Sequence, residues 1–331
     1  MKPLIKKLVE TYGPSGHEDQ VREIVRDEIK GLADSILVDP LGNLIAVVKK
    51  KTRNGKKVML SAHMDEIGLI VTHVDEKGFA RFLPVGGVNP VTLVGNRVRF
   101  ANGARGVIGV EKLKDTSKTP EIEQLFVDTG AADRESCQVK IGDLAGFDRA
   151  FEDLGGRLVA KSMDDRIGVA VLIETIKSLK RTPHELQFVF SVQEEVGLRG
   201  ARTSAFGLEP DIGIAVDVTR TGDTPKGVTM EVALGKGPAI KVRDSGMLAD
   251  PRVVDLMVQR AEELKIPYQM EVLEAGSTDA AAIQLSREGV PAGCLSIPCR
   301  YIHTVSETLD LRDVENAVKL LVGILAKPIE L

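Results

Sequence analysis

Four apolar, strand-forming runs in this chain each end in a histidine or a carboxylate. Val58–Ala62 leads into His63, Asp65 and Glu66, and Phe188–Val192 leads into Glu194 and Glu195. Ile212–Val216 delivers Asp217, and Cys294–Ile297 precedes the loop that carries His303. Open α/β sheets bind ligands at the carboxyl ends of their strands, where loops gather polar groups at one rim. Two histidines and several carboxylates at such a rim are the donors of a two-metal hydrolytic centre.

Each residue also has a plainer reading. His63 and Asp65 are two apart at a strand end, so both side chains can point to one side. A carboxylate beside a ligating histidine takes its second N–H and fixes the tautomer. A capped strand with a surface histidine fits the same pair. Asp164 and Asp165 precede a helix, where capping and the macrodipole favour carboxylates. That role suits Asp165, whereas Asp164, in the loop before the helix, is free to bridge two metals. Successive residues of an extended chain face opposite ways, so Glu194 and Glu195 should differ in role. One can bind metal while the other takes a proton from metal-bound water. A charged turn before Gly197 is the alternative, weakened by the wholly apolar strand ahead of it. His303 alone reads as a loop histidine, and His17, His73 and His184 as structural or surface residues. Cys299 near His303 raises a thiol nucleophile, but no strand–turn–helix elbow accompanies it. Neither Gly86-Gly87 nor Gly235-Lys236-Gly237 precedes a helix with Lys-Ser/Thr, so neither is a phosphate loop.

These residues need a sheet to hold them. At 331 residues the chain suggests two domains, or one domain with a large insertion. Segments 1–68 and 160–331 alternate strands and helices, which predicts an α/β catalytic domain of three α/β/α layers. Between them, residues 69–159 read as an inserted small all-β domain of short strands and Gly- and Pro-containing turns. Strands are expected at 186–192, 212–217 and 292–297, a β-like run near 227–243, and a strand at Gln138–Ile141. Helices are expected to open at Asp164-Asp165 and to cover 199–206, 251–264, 279–287 and 311–326. Ser15 to Glu18 fits a capping box ahead of a helix with Val21, Ile24, Val25 and Ile29 on one face. Lys49–Lys57, the most basic stretch, reads as a solvated hairpin turn.

Composition narrows the function. A net charge of -4, from 44 basic and 48 acidic residues, argues against a nucleic-acid partner. No run approaches the roughly 18 apolar residues of a membrane span. Met1–Val9 reads as a short amphipathic helix rather than a signal peptide. Three cysteines without metal-site spacing imply no disulfide framework, which points to a reducing cytoplasm. With no Trp and 4% aromatic residues, the chain lacks a stacking platform for sugars, which weighs against a glycosidase.

His63–Gly68, Ser162–Arg166, Gln193–Ala201, Val216–Thr219, Gly276–Ala280 and Arg300–Thr304 together resemble the signatures of one family. The chain is similar over essentially its whole length to the tetrahedral (TET) dinuclear-metal aminopeptidases of glutamyl, leucyl and deblocking types, some of them classed as cellulases. The resemblance implies two divalent cations per subunit, zinc or cobalt. His63 and Asp217 would hold the first, Glu195 and His303 the second, and Asp164 would bridge them. Glu194 would be the general base and Asp65 the orienter of His63. It further implies that the insertion is a PDZ-like β-barrel that mediates dimerisation, and that dimers form a hollow dodecamer. Peptides would lose their first residue, with Gly276, Ser277 and Asp279 in a wall of its pocket. An amidohydrolase acting on N-acyl amino acids could use a similar centre, and an endoglucanase is the more distant alternative.

Overall fold

The computed structural model describes residues 1–49, 52, 55–115 and 117–331. The α/β part opens with α1 (Lys2–Val9), α2 (Asp19–Glu28), β1 (Ser35–Val38), β2 (Leu44–Lys49) and β3 (Lys57–His63). A barrel follows, made of β4 (Gly68–Val74), β5 (Ala80–Val85), β6 (Arg97–Phe100), β7 (Arg105–Val110), β8 (Leu125–Asp128) and β9 (Leu144–Phe147). The chain then returns through β10 (Glu152–Asp153), β11 (Arg157–Ala160), α3 (Met163–Ser178), β12 (Glu185–Ser191), α4 (Arg199–Leu208) and β13 (Ile212–Thr219). It ends with β14 (Ala239–Arg243), α5 (Pro251–Glu263), β15 (Gln269–Val272), α6 (Asp279–Gln284), β16 (Ala292–Arg300), β17 (Glu307–Asp310) and α7 (Leu311–Leu325).

The main sheet runs β1-β2-β12-β3-β13-β16-β17-β11-β10, with β14 on β16 and β15 beyond it. Its centre, β12, β3, β13 and β16, is parallel. These strands are buried along nearly their whole length because helices cover both faces, which is why they read as continuous apolar runs. Residues of α1, α2, α3, α5 and α7 pack on one face and those of α4 and α6 on the other. Helix α3 is apolar on all sides because it lies between the sheet, α1 and α7. The chain leaves β3 for β12 on one side and then crosses to β13 on the other. Winding therefore reverses at β3, and a crevice opens at its carboxyl end, where His63 sits.

The six barrel strands close in the order β4-β5-β8-β7-β6-β9 around Leu69, Val71, Phe82, Val98, Ile108, Val127 and Phe147. The fold is thus the expected α/β domain with an inserted β-barrel. The insertion is shorter than 69–159, because β10 and β11 rejoin the main sheet through β17. Leu158 and Ala160 bury their side chains in the main core, not in the barrel.

Other expectations change locally. Gln138–Ile141 is irregular rather than a strand, and Asp143 accepts the N–H of Lys140 there. Of the run 227–243 only Ala239–Arg243 forms a strand, since Gly235, Gly237 and Pro238 interrupt it. The capping box does not form: α2 starts after Glu18, and the Ser15 hydroxyl donates to Asp65 instead. The strands on either side of the basic segment, β2 and β3, do not pair, because β12 lies between them; Lys50, Lys51, Arg53 and Asn54, on which the hairpin reading falls, lie outside the described residues. Among the described residues no helix is long and apolar enough to cross a membrane.

Candidate active site

The carboxyl ends of β3, β12, β13 and β16 converge on the start of α3. His63 closes β3, and its Nε2 lies 3.0 Å from Asp164 Oδ1. Its Nδ1 faces Asp65, 3.2 Å from the carbonyl oxygen and 3.3 Å from Oδ1. Beyond β16, His303 points Nε2 at both Asp164 Oδ2 and Glu195 Oε1, each at 3.3 Å. Its Nδ1 lies 2.9 Å from the carbonyl oxygen of Gly87, in the loop after β5. Glu194 Oε2 stands 3.7 Å from His63 Nε2. Asp217, in β13, completes the group, with its Oδ1 accepting the N–H of Val218 at 2.7 Å.

Asp164 and Asp165 precede the regular part of α3, with ψ of 107° and 36°. Asp165 turns away from the pocket: it accepts the N–H of Gly168 at 3.0 Å and that of His63 at 3.1 Å. This is a capping carboxylate that also pins the end of β3. Asp164 faces inward, and its own N–H donates to Glu307.

The electrostatics are those of a site short of positive charge. Burial pushes the carboxyls of Asp217 and Glu194 well above their usual range; Asp164 adds to it for Asp217, while for Glu194 nearby carboxylates add to it against the opposing pull of His63. Burial also raises Glu195, against the hydrogen bond from His303. For Asp164 burial is outweighed by His303 and His63, which hold it below its usual range. Burial opposes charge on His303 too, yet Asp164 and Glu195 push it up to about 12. Crowded carboxylates of this kind call for cations.

The donors fit that demand. Ligand atoms of His63, Asp164 and Asp217 lie within 4.8 Å of one another, and so do those of Asp164, Glu195 and His303. Asp164 belongs to both groups, and buried Glu195 Oε1 has the His303 ring at 3.3 Å as its near polar neighbour. Imidazole and carboxylate together suit first-row divalent ions.

The pocket over these groups, about 370 Å³, is also lined by Gly87, Leu198, Lys241, Gly276, Ser277, Thr278 and Ile302. Asp279 is not in its wall. It lies behind, with Oδ2 accepting the hydroxyls of Ser61 (2.6 Å) and Ser191 (2.5 Å). A larger apolar hollow beside Phe206 and Leu285 shares only Leu198 and Ser277 with this pocket and carries none of the carboxylates.

Sequence reading missed four residues here. Lys241 is a buried cation on the pocket wall, 2.7 Å from Glu271, and its signal was a lysine inside an apolar strand. Gly86 and Gly87 press against Glu195 and His303, where a Cβ on Gly87 would fall 2.5 Å from His303 Nδ1. Glu307, on a strand that was not read, had no local signal. Cys299 is buried, its thiol is driven up by that burial, and it does not line the pocket.

The M42 glutamyl aminopeptidase family matches residues 42–320. The chain belongs to this family. Relatives resemble it over nearly their whole length. One in Acetivibrio thermocellus, with aminopeptidase in its name, is 49% identical over 324 residues, 97% of each chain. The lysyl aminopeptidase of Pyrococcus furiosus is 39% identical, over 96% of this chain and 94% of its own. Among solved structures, the Pyrococcus horikoshii TET1 peptidase, which can assemble into a tetrahedron or a large octahedral shell, superposes with a TM-score of 0.90. It is 34% identical and matches over 98% of this chain and 99% of its own. The M42 chain is thus a peptidase of the aminopeptidase type, with candidate metal-binding residues at its catalytic rim.

Proposed function

We propose that this M42 peptidase removes the first residue from peptides at a centre of two divalent cations. The observation that carries the reading is the pair of donor groups that share Asp164. His63 and Asp217 would hold one cation, Glu195 and His303 the other, with Asp164 between them. Two such cations, zinc or cobalt, would lower the pKa of bound water and polarise the scissile carbonyl.

The protein's own groups do the rest. Glu194 is the general base: its Oε2 takes a proton and later returns one to the leaving amine. Asp65 orients His63 through Nδ1, which leaves Nε2 free as a ligand. Ser277 and Thr278 line the pocket beside these groups and would flank the substrate. Gly276 gives the backbone room beside them, and Asp279 acts from behind through Ser61 and Ser191. Pocket carboxylates hold the free α-ammonium, which restricts cleavage to the first residue.

Its relatives include a lysyl enzyme and the family bears a glutamyl name, so lysyl and glutamyl amides belong in the substrate panel. The barrel is the proposed dimer contact, and dimers the units of a homo-dodecamer. The TET1 assembly supports this by likeness. A reducing cytoplasm suits the free cysteines Cys137, Cys294 and Cys299.

The deciding experiment is hydrolysis of a panel of aminoacyl chromogenic amides, with N-acetylated controls, before and after chelation and metal re-addition. Metal-dependent cleavage of the free-amine substrates alone is expected. Cleavage of the acetylated set would move the reading to a deacylase, and activity that survives chelation would overturn the two-cation centre.

A further inference from the structure

Glu307 begins β17 and is buried, away from the pocket surface. Its two oxygens are divided between two main chains. Oε1 accepts the backbone N–H of His303 at 2.7 Å, and Oε2 accepts the backbone N–H of Asp164 at 3.0 Å. Both donors are candidate ligands of the same cation, and they arrive from unrelated parts of the chain, the loop after β16 and the start of α3. Both bonds are buried, where an N–H left without its acceptor is costly.

The loop needs such a restraint. Tyr301 and His303 both lie in the left-handed region, with φ of 61° and 64°, where non-glycine residues are strained. Thr304 gives one local tie, its hydroxyl donating to the Tyr301 carbonyl at 2.7 Å. Glu307 gives the tie that reaches across to α3. Without it, His303 can relax its backbone and swing its ring from Asp164 and Glu195.

We propose that Glu307 is a positioning residue for the second cation. It clamps the main chain under His303 to the main chain under Asp164, so that the ligand closing this site and the ligand bridging both sites stay at a fixed separation. Ligands held in place before binding retain affinity that mobile ones lose. Partners that orient metal ligands are typically worth about 10–100-fold in metal affinity. The inference rests on the two-cation reading above.

The test is competition between the full-length apo-protein and a chromophoric chelator for Zn²⁺, which reads affinity without substrate. Wild type is expected to take up two ions. Glu307→Gln, which removes one acceptor, should weaken one of the two by about 10–100-fold. The half-saturating zinc for activity should rise with it, and kcat should recover at high zinc. Glu307→Asp, too short to span both N–H groups, should weaken the same ion. Two wild-type affinities in both variants would overturn the inference while leaving the two-cation reading intact. A lowered melting temperature with unchanged zinc affinity would make Glu307 a folding residue only, as would failure of both variants to fold with zinc present. A wild-type protein that binds no zinc would overturn the underlying reading and this inference with it.

Discussion

The side chain of Asp65 accepts the backbone N–H of Glu194, Oδ1 to N at 3.0 Å, and on its other oxygen the N–H of Glu195 at 3.2 Å. The same Oδ1 lies 3.3 Å from His63 Nδ1. One buried carboxylate therefore joins the imidazole on β3 to the turn after β12 that carries both glutamates. Asp65→Asn keeps the shape but puts an amide donor against N–H groups on one side. Metal affinity should fall about 10–100-fold, measured by zinc competition. An unchanged affinity would mean that Asp65 is a turn residue and nothing more.

Glu194→Gln separates proton transfer from metal binding. Loss of a general base costs about 10²–10⁴-fold in rate. The expected outcome is that drop in kcat with two zinc ions per subunit retained, by elemental analysis. A variant that keeps wild-type kcat would remove Glu194 from the proposed role.

Gly87 matters for its missing side chain. A Cβ there would meet His303 at 2.5 Å from Nδ1 and 2.7 Å from Cε1. Gly87→Ala should displace the ring, raise the zinc needed for half-maximal activity and leave the melting temperature of the apo-protein near wild type. Equal zinc dependence in the two proteins would show that the loop yields without moving the histidine.

Metal binding should weaken in acid. Burial raises Asp217 and Glu195 above the ordinary carboxylate range in the cation-free protein, so each keeps its proton to higher pH. A cation must displace those protons, and its affinity therefore falls as pH falls. Thermal shift on adding zinc, followed from pH 8 down to pH 5, should shrink steadily. A shift independent of pH would mean that these carboxylates are not ligands.

At the neck of the barrel, Glu66 meets Lys161 at 2.5 Å and Arg166 at 3.7 Å, all buried. Burial opposes charge on Glu66, but Lys161 and Arg166 outweigh it and hold its pKa below the usual value. A folded-state pKa below the unfolded one gives stability that is complete above the unfolded pKa and is lost as pH falls through the folded one. Glu66→Gln leaves two buried cations unpaired, at a cost of about 3–5 kcal/mol. Urea midpoints at pH 7 should show that loss, and the variant should lack part of the wild-type decline toward pH 4. Matching midpoints at pH 7 would count against the ion pair as a structural tie.

What could be read from residues alone follows a physical line. The strands β3, β12, β13 and β16 are buried on both faces, so they are continuous apolar runs, and their first polar residues past the end mark the rim. Glu307–Asp310 is equally buried, yet it begins and ends in acids and looks like a loop. Only its place between β16 and β11 makes it a strand. Gly87 lies far along the chain from His303, and no local pattern connects them. Lys241 sits in an apolar strand, but its partner Glu271 lies on another strand and no local pattern pairs them. Asp164 and Asp165 show both sides of the matter. Their place at the start of a helix suggested two roles, and the backbone turns them in two directions.

The position of β3 bears on how the chain comes together during synthesis. Both of its sheet neighbours, β12 and β13, are encoded after the whole barrel. The strand that carries His63 therefore leaves the ribosome early and stays unpaired until most of the polypeptide has been made. Contacts of such long sequence separation form slowly, and an unpaired apolar strand is exposed to wrong partners meanwhile. The barrel, whose strands pair only among themselves, can close first and hold the two ends of the gap together. On this account the inserted domain is also an early folding unit, and catalytic competence is the last property the nascent chain acquires.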